Sequence, residues 1–259
     1  MRSAEKKLHR QAEREGVIPL IVSYRSDVGM QRSQNQDSVF AISMPIGKLP
    51  NLLIVADGMG GHKAGDFASR YSIEKIKECV SESIYDNRLL IVNDAIRRVN
   101  RMVYEKSTDY EEYKGMGTTL TLAYIDQHTL YAFQIGDSRL YIDNEAIRQV
   151  TRDHSYVEEM YRKGVMTRDS EEYKNKKHII TRAIGGNDFV VADIYEEQLQ
   201  TGDIVLLCSD GLTNMVDDAS IHNILSSTKT LDEKADSLIE LANKNGGQDN
   251  ISVVLTLIE

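Results

Sequence analysis

The sequence predicts an α+β fold in which antiparallel strands interleave with paired helices, on three observations. Short apolar runs that meet an aspartate recur: Leu52-Leu53-Ile54-Val55-Ala56 runs into Asp57, Tyr131-Ala132-Phe133-Gln134-Ile135-Gly136 into Asp137, and Ile204-Val205-Leu206-Leu207-Cys208-Ser209 into Asp210. Uninterrupted runs this short read as buried strands. Helical stripes come in adjacent pairs, at 64–80 with 89–103 and at 217–226 with 231–245. The strand-like runs between 118 and 150 are separated by only a few residues, which gives hairpins and meanders. Together these features point to α+β organisation.

Taken in order, residues 1–16 alternate basic and acidic side chains without an apolar stripe. They read as a solvated helix or, on the sharper alternative, a docking tail. The first strand is expected over 17–28, with Pro19 suited to a strand start or an edge. Asp37 opens a second strand, Ser38-Val39-Phe40-Ala41-Ile42. Phe67, Tyr71, Ile76 and Val80 mark one face of the first helix, and Leu89, Val92, Ile96, Val99 and Val103 one face of the next. Strands follow over 118–125, 129–135, 139–143 and 146–150. Residues 154–180 are the least regular stretch. A helix over 154–163 is broken by Gly164, and Lys174-Asn175-Lys176-Lys177-His178 forms a basic cluster, either a solvated loop or a device for steering acidic phosphopeptides. Strands resume at 189–196 and 203–209. The helix over 231–245 stops at Asn245-Gly246-Gly247. The last strand, 251–258, is apolar on both faces and so belongs inside a sheet. No repeat, linker or composition break divides the chain, which predicts one domain over 17–259 after the charged extension of 1–16.

With 259 residues, 41% hydrophobic and 27% charged, the chain has the composition of a soluble globular protein with a large core. A formal net charge of −9 argues against general nucleic-acid binding. Cys79 and Cys208 read as reduced, buried thiols. The charged N-terminus lacks the apolar core of a secretory signal, and no apolar run is long enough for a membrane span. A cytoplasmic location is expected.

The aspartates carry the chemistry. Asp37, Asp57, Asp137, Asp210 and Asp249 each sit at the end of an expected strand. Any one alone reads as a solvated turn residue, and the Gly58-Met59-Gly60-Gly61 stretch by itself could be a tight turn. Together they suggest strand ends converging on one edge, where carboxylates repel unless cations neutralise them. No paired Cys or His cluster suggests zinc. An all-oxygen site suits Mg2+ or Mn2+, and Ca2+ less specifically. Several carboxylates can hold two such ions, an arrangement that activates water for phosphoester hydrolysis.

At this point the motifs carry a family resemblance. Arg25-Ser26-Asp27-Val28-Gly29-Met30-Gln31-Arg32-Ser33-Gln34-Asn35-Gln36-Asp37 resembles the opening motif of the metal-dependent protein serine/threonine phosphatases, the PPM or type 2C family. Asp57-Gly58-Met59-Gly60-Gly61-His62, Gly117-Thr118-Thr119, Gly136-Asp137-Ser138-Arg139, Thr151-Arg152-Asp153-His154-Ser155, Thr181-Arg182-Ala183-Ile184-Gly185, Ser209-Asp210-Gly211-Leu212 and Gln248-Asp249-Asn250 follow in the family's order. The likeness spans roughly residues 20 to 258 and is strongest to the compact bacterial branch, whose members oppose bacterial serine/threonine kinases.

The resemblance implies a four-layer α-β-β-α sandwich of two antiparallel sheets, with Mn2+ or Mg2+ at one end. It implies that Asp57 bridges two ions, that the Gly58 carbonyl adds an oxygen, and that Asp210 and Asp249 hold the other ion. Asp37 would orient water around the ions, and Asp137 with Asp210 would recruit a third, weaker ion. Arg32 would hold the phosphoryl group, for which a guanidinium fork is suited. His62 reads either as the acid that protonates the leaving alkoxide or as a hydrogen-bonding loop residue; His154 is the weaker candidate for that role. No phosphoenzyme is implied. The expected partners are phosphorylated proteins, a cognate Ser/Thr kinase and its substrates, with no nucleic acid, no membrane and a monomeric state. Two departures stand out. Gln36 replaces the glutamate of many relatives, which implies weaker binding of the second metal. Lys177-His178 stands where many relatives carry His-Pro, so flap contacts do not transfer. Two other functions compete: a catalytically silent phosphoprotein-binding or regulatory relative, and a phosphatase acting on an anti-sigma-factor antagonist.

Overall fold

The computed structural model of the chain describes residues 20–61 and 64–259. The expected extension over 1–16, the start of the first strand and His62 lie outside the described residues. Eleven strands form two antiparallel sheets among the described residues. One sheet has the order β1 (Leu20–Asp27), β11 (Ile251–Ile258), β10 (Ile204–Cys208), β7 (Arg139–Asp143) and β8 (Ile147–Gln149). The other has the order β2 (Asp37–Ile42), β3 (Leu52–Met59), β5 (Leu120–Asp126), β6 (Thr129–Ile135) and β9 (Asp193–Gln198), with the two-residue β4 (Gly117–Thr118) added at the end of β3.

Alternation along each strand assigns its side chains to layers. On β3, Leu53 and Val55 enter the core between the sheets, whereas Leu52, Ile54 and Ala56 pack outward against helices. On β10, Val205 and Leu207 face the other sheet while Ile204, Leu206 and Cys208 face outward. Helices α1 (Ala64–Ser81) and α2 (Arg88–Asp109) cover the second sheet through Ile76, Val92, Ile96, Val99 and Val103. Helices α6 (Asp218–Leu225) and α7 (Leu231–Lys244) cover the first through Ile221, Leu225, Ala235, Leu238 and Ala242. Three apolar layers between four structural layers explain why the central strands read as unbroken apolar runs. Both of their faces are buried. The expected α-β-β-α sandwich is the observed one.

Most helix ends follow their caps. Asn87 accepts from Leu90 N to start α2. A capping box between Thr230 and Glu233 starts α7. Where the structure differs from the sequence reading, tertiary contacts decide. The strand expected over 118–125 is interrupted at Thr119, whose N–H is spent on the Asp57 carbonyl. The strand expected over 189–196 begins only at Asp193. Arg182 takes the Val191 carbonyl, and Val190 and Ala192 pack into the helix-side core. Between residues 154 and 180 lie two short helices, α3 (Tyr156–Arg162) and α4 (Glu171–Lys176). The second has no buried residue, so it carries no apolar stripe to read; Ser170 caps it instead. A further short helix, α5 (Asp210–Thr213), follows β10 directly.

Candidate metal centre

The sheet register brings the carboxylates together. Asp37 opens β2 and is the direct cross-strand partner of Asp57 on β3. Asp57 therefore lies within its strand, which runs on to Met59, rather than beyond the strand end. Asp137 follows β6, Asp210 begins α5 at the end of β10, and Asp249 precedes β11. Because β10 and β11 are antiparallel neighbours with Cys208 opposite Val253, Asp210 and Asp249 emerge at the same edge. A cavity of about 290 Å3 there is lined by Arg32, Asp57, Gly58, Asp137, Asp210 and Asp249, together with Gln36, Thr119, His178 and Ile180. Asp37 does not line it; the Ser209 hydroxyl donates to its Oδ2 at 2.7 Å.

Each carboxylate is held by its neighbours. Thr119 accepts from Asp57 N at 2.9 Å through Oγ1 and donates its own N–H to the Asp57 carbonyl at 2.9 Å. Asn214, one helical turn on, donates to Asp210 Oδ2 at 2.8 Å. Asn250 donates its own N–H to Asp249 Oδ1 and ties the Arg32 loop to β11, since its side chain donates to Val28 O and Gln34 O and accepts from Gln36 N. Arg32 Nη2 meets Asp249 Oδ2 at 2.8 Å. Two glycines permit the approach of backbone segments. A Cβ on Gly58 would lie 2.1 Å from the Gly65 carbonyl oxygen, and one on Gly211 would lie 2.0 Å from that of Asn250.

Burial and mutual repulsion dominate the electrostatics. Burial raises the Asp37 carboxyl to about 7 against the pull of its Ser209 hydrogen bond, with Asp210 and Asp249 adding to the rise. Asp57 and Asp137 are pushed well above the usual carboxylate range, first by burial and then by neighbouring aspartates. Asp210 is raised by burial and by Asp249, with relief from Asn214 and Lys177. Asp37 Oδ1 and Asp210 Oδ1 are buried without a hydrogen-bond partner. Such oxygens are costly unless a proton or cation meets them. Among the described residues, no three His, Cys, Asp or Glu side chains already close into a metal-binding cluster. The carboxylates share one rim instead, with Arg32 occupying an oxygen of Asp249. The donor set, orphaned oxygens and accumulated negative charge fit hard divalent cations.

Six of the eight site residues expected from the sequence line this cavity; Asp37 is paired with Asp57 without lining it, and His62 lies outside the described residues. His154 does not line it. Its ring Nδ1 accepts from Gly136 N at 3.2 Å, and its Nε2 lies 3.2 Å from Asp193 Oδ2 without the alignment of a hydrogen bond. Thr119, Asn214, Asn250 and Ile180 have no role in the sequence analysis, and His178 enters there only as part of the basic cluster and of the Lys177-His178 departure, not as a residue lining the site. Thr119 and Asn250 stood inside quoted motifs, and Asn214 is four residues after Asp210, a spacing that a short helix would bring together. Ile180 gives no local signal, and the basic cluster around His178 does not place it on the cavity.

The family model described as Protein phosphatase 2C matches residues 30–255. The serine/threonine phosphatase Stp of Listeria innocua is 39% identical over 240 residues, covering 90% of this chain and 93% of that protein. The solved serine/threonine phosphatase of S. agalactiae superposes with a TM-score of 0.87 at 36% identity, over 93% of this chain and all of the other. The catalytic domain of the phosphatase PstP, solved in complex with two manganese ions, superposes with a TM-score of 0.80 at 34% identity, over 92% of this chain and 98% of the other. The ordered motifs, the two-sheet sandwich and a likeness that runs nearly end to end make this chain a member of the protein phosphatase 2C family.

Proposed function

We propose that the chain is a metal-dependent phosphatase that hydrolyses phosphoserine and phosphothreonine on proteins, opposing a serine/threonine kinase. The observation that carries this reading is the gathering of buried, proton-hungry carboxylates around a small cavity with an arginine on its rim. Asp57, the Gly58 carbonyl, Asp210 and Asp249 would hold two Mn2+ or Mg2+ ions, and Asp137 with Asp210 a third, weaker one. Bound there, the ions would supply charge neutralisation and an activated water for in-line attack on phosphorus.

The chain's own groups do the rest. Arg32 is exposed enough to reach a phosphoryl group, and its fork has donors beyond the one on Asp249. Those donors offset charge on the phosphoryl oxygens as the serine or threonine oxygen departs. Asp37, fixed by Ser209 and paired with Asp57, would orient water around the ions. His62 is proposed as the proton donor to the leaving oxygen. Direct attack by water fits the state of the thiols: burial pushes Cys208 up to about 12, leaving it a neutral, enclosed group. Phosphorylated proteins are the proposed partners. A cytoplasmic location and a monomeric state are proposed with it; no helix among the described residues is long and apolar enough to cross a membrane.

The test is turnover of p-nitrophenyl phosphate and of a phosphothreonine peptide with Mn2+, Mg2+ or EDTA, alongside Asp210→Ala. Metal-dependent turnover absent from the variant is expected. No turnover by folded, metal-loaded protein would replace the proposal with a silent phosphoprotein-binding module. A phosphorylated anti-sigma-factor antagonist is assayed beside them, and turnover of that substrate alone would narrow the function to that class rather than to a silent module.

A further inference from the structure

A glutamine stands in the apolar layer between the two sheets. Gln134 is on β6, completely buried, on the face that carries Ala132 into the inter-sheet core. An amide there is unfavourable unless all its groups are bonded. Its Oε1 accepts from Thr121 Oγ1, its cross-strand neighbour, at 2.8 Å. Its Nε2 donates to Gly136 O at 3.0 Å and to Ser138 O at 2.6 Å. The two acceptors are the residues on either side of Asp137. The carbonyls they offer also fix the orientation of the amide, because only the NH2 end can face two acceptors.

Two further contacts hold the same turn. His154 N donates to Gly136 O at 2.8 Å while His154 Nδ1 accepts from Gly136 N. Ser138 Oγ shares a hydrogen bond of 2.8 Å with Thr119 Oγ1, the same oxygen that accepts from Asp57 N. The turn bearing Asp137 is thereby tied to Asp57 through Thr119. Gln134 is the one member that grips both flanks of Asp137 with a single side chain.

We infer that Gln134 is a positioning residue that holds Asp137 at its place on the rim and so sets the affinity of the cation that Asp137 would share with Asp210. This role rests on the metal reading proposed above. Groups that orient metal ligands without touching the metal commonly change affinity by about ten-fold or more when removed. Gln134→Met keeps length and apolar volume but removes both donors.

The experiment is Mn2+ titration by calorimetry without substrate, paired with the Mn2+ dependence of p-nitrophenyl phosphate turnover. Asn51→Ala is the control, because it removes two buried hydrogen bonds of the same sheet far from the turn. In Gln134→Met the weakest Mn2+ binding event should weaken about ten-fold. The Mn2+ needed for half-maximal turnover should rise by the same factor, with kcat recovered at high Mn2+, while Asn51→Ala keeps the wild-type isotherm. If Gln134→Met does not fold, Gln134→Asn, which withdraws the amide by one methylene, is read by the same criterion. A folded variant with the wild-type isotherm overturns the positioning role alone, as does an equal shift in Asn51→Ala. Wild-type protein that binds no Mn2+ overturns the metal reading together with this one.

Discussion

The metal-free protein should lose stability as pH rises from 5 to 8, the reverse of what paired surface carboxylates produce. Asp37 decides the sign. Its carboxyl titrates at about 7 when folded and at an ordinary 3.8 when unfolded. Between those values the folded state holds a proton that the unfolded state has released, so stability is complete below the unfolded value and falls as pH rises through the folded one. A full separation corresponds to roughly 4 kcal/mol, of which about 2.5 kcal/mol falls between pH 5 and pH 8. Asp57, Asp137 and Asp210 shift in the same direction but share their repulsion with Asp37, so their contributions are not added. His154 opposes them. Burial and Arg182 lower it, so charging it destabilises the fold as pH falls below its ordinary range. The assay is urea unfolding of EDTA-treated protein at pH 5, 6, 7 and 8, for wild type and Asp37→Asn. Wild type should lose about 2 kcal/mol or more over that range, and Asp37→Asn should flatten the slope. Saturating Mn2+ should remove the loss by binding the folded state. Metal-free wild type as stable at pH 8 as at pH 5, with Asp37→Asn following the same curve, would refute the account of the carboxylates.

Other outcomes follow from single contacts. Arg32→Ala should raise the KM for a phosphothreonine peptide about ten-fold or more with a smaller fall in kcat, since a charged hydrogen-bond donor is lost; an unchanged KM removes Arg32 from phosphate binding. Gly211→Ala forces a Cβ against the Asn250 carbonyl at 2.0 Å. It should destabilise the protein by about 1–3 kcal/mol and weaken Mn2+ binding by displacing Asp249 relative to Asp210, measured by thermal unfolding and calorimetry. Asn51→Ala removes hydrogen bonds of 2.6 and 2.7 Å to both backbone groups of Ile125. It should lower stability by about 2–4 kcal/mol while leaving turnover at low temperature intact, and a loss of activity without a loss of stability would contradict its structural role.

Much of the sandwich is legible in the linear chain because its signals are local. Strands such as Thr129–Ile135 and Arg139–Asp143 appear where the apolar runs place them, and α7 begins at its capping box and ends before Gly246-Gly247. Helix α4 was illegible for the same reason: it buries nothing, so no stripe marks it. At the site, residue types and motif order pointed to aspartates, an arginine and hard cations without any coordinates. Their company could not be read. Asp37 faces Asp57 because β2 and β3 pair in one register, and Arg32 meets Asp249 across 217 positions of sequence. Gln134 looks like one polar residue in an apolar run until pairing with β5 sets Thr121 opposite it and the turn into β7 folds the Gly136 and Ser138 carbonyls onto its amide. Local pattern is written in neighbouring residues, so the sequence alone determined the central strands, the long amphipathic helices and the chemistry of the carboxylates. Which carboxylates are buried, which repel and which side chains hold them depend on sheet register and layer packing, and only the tertiary structure decided those.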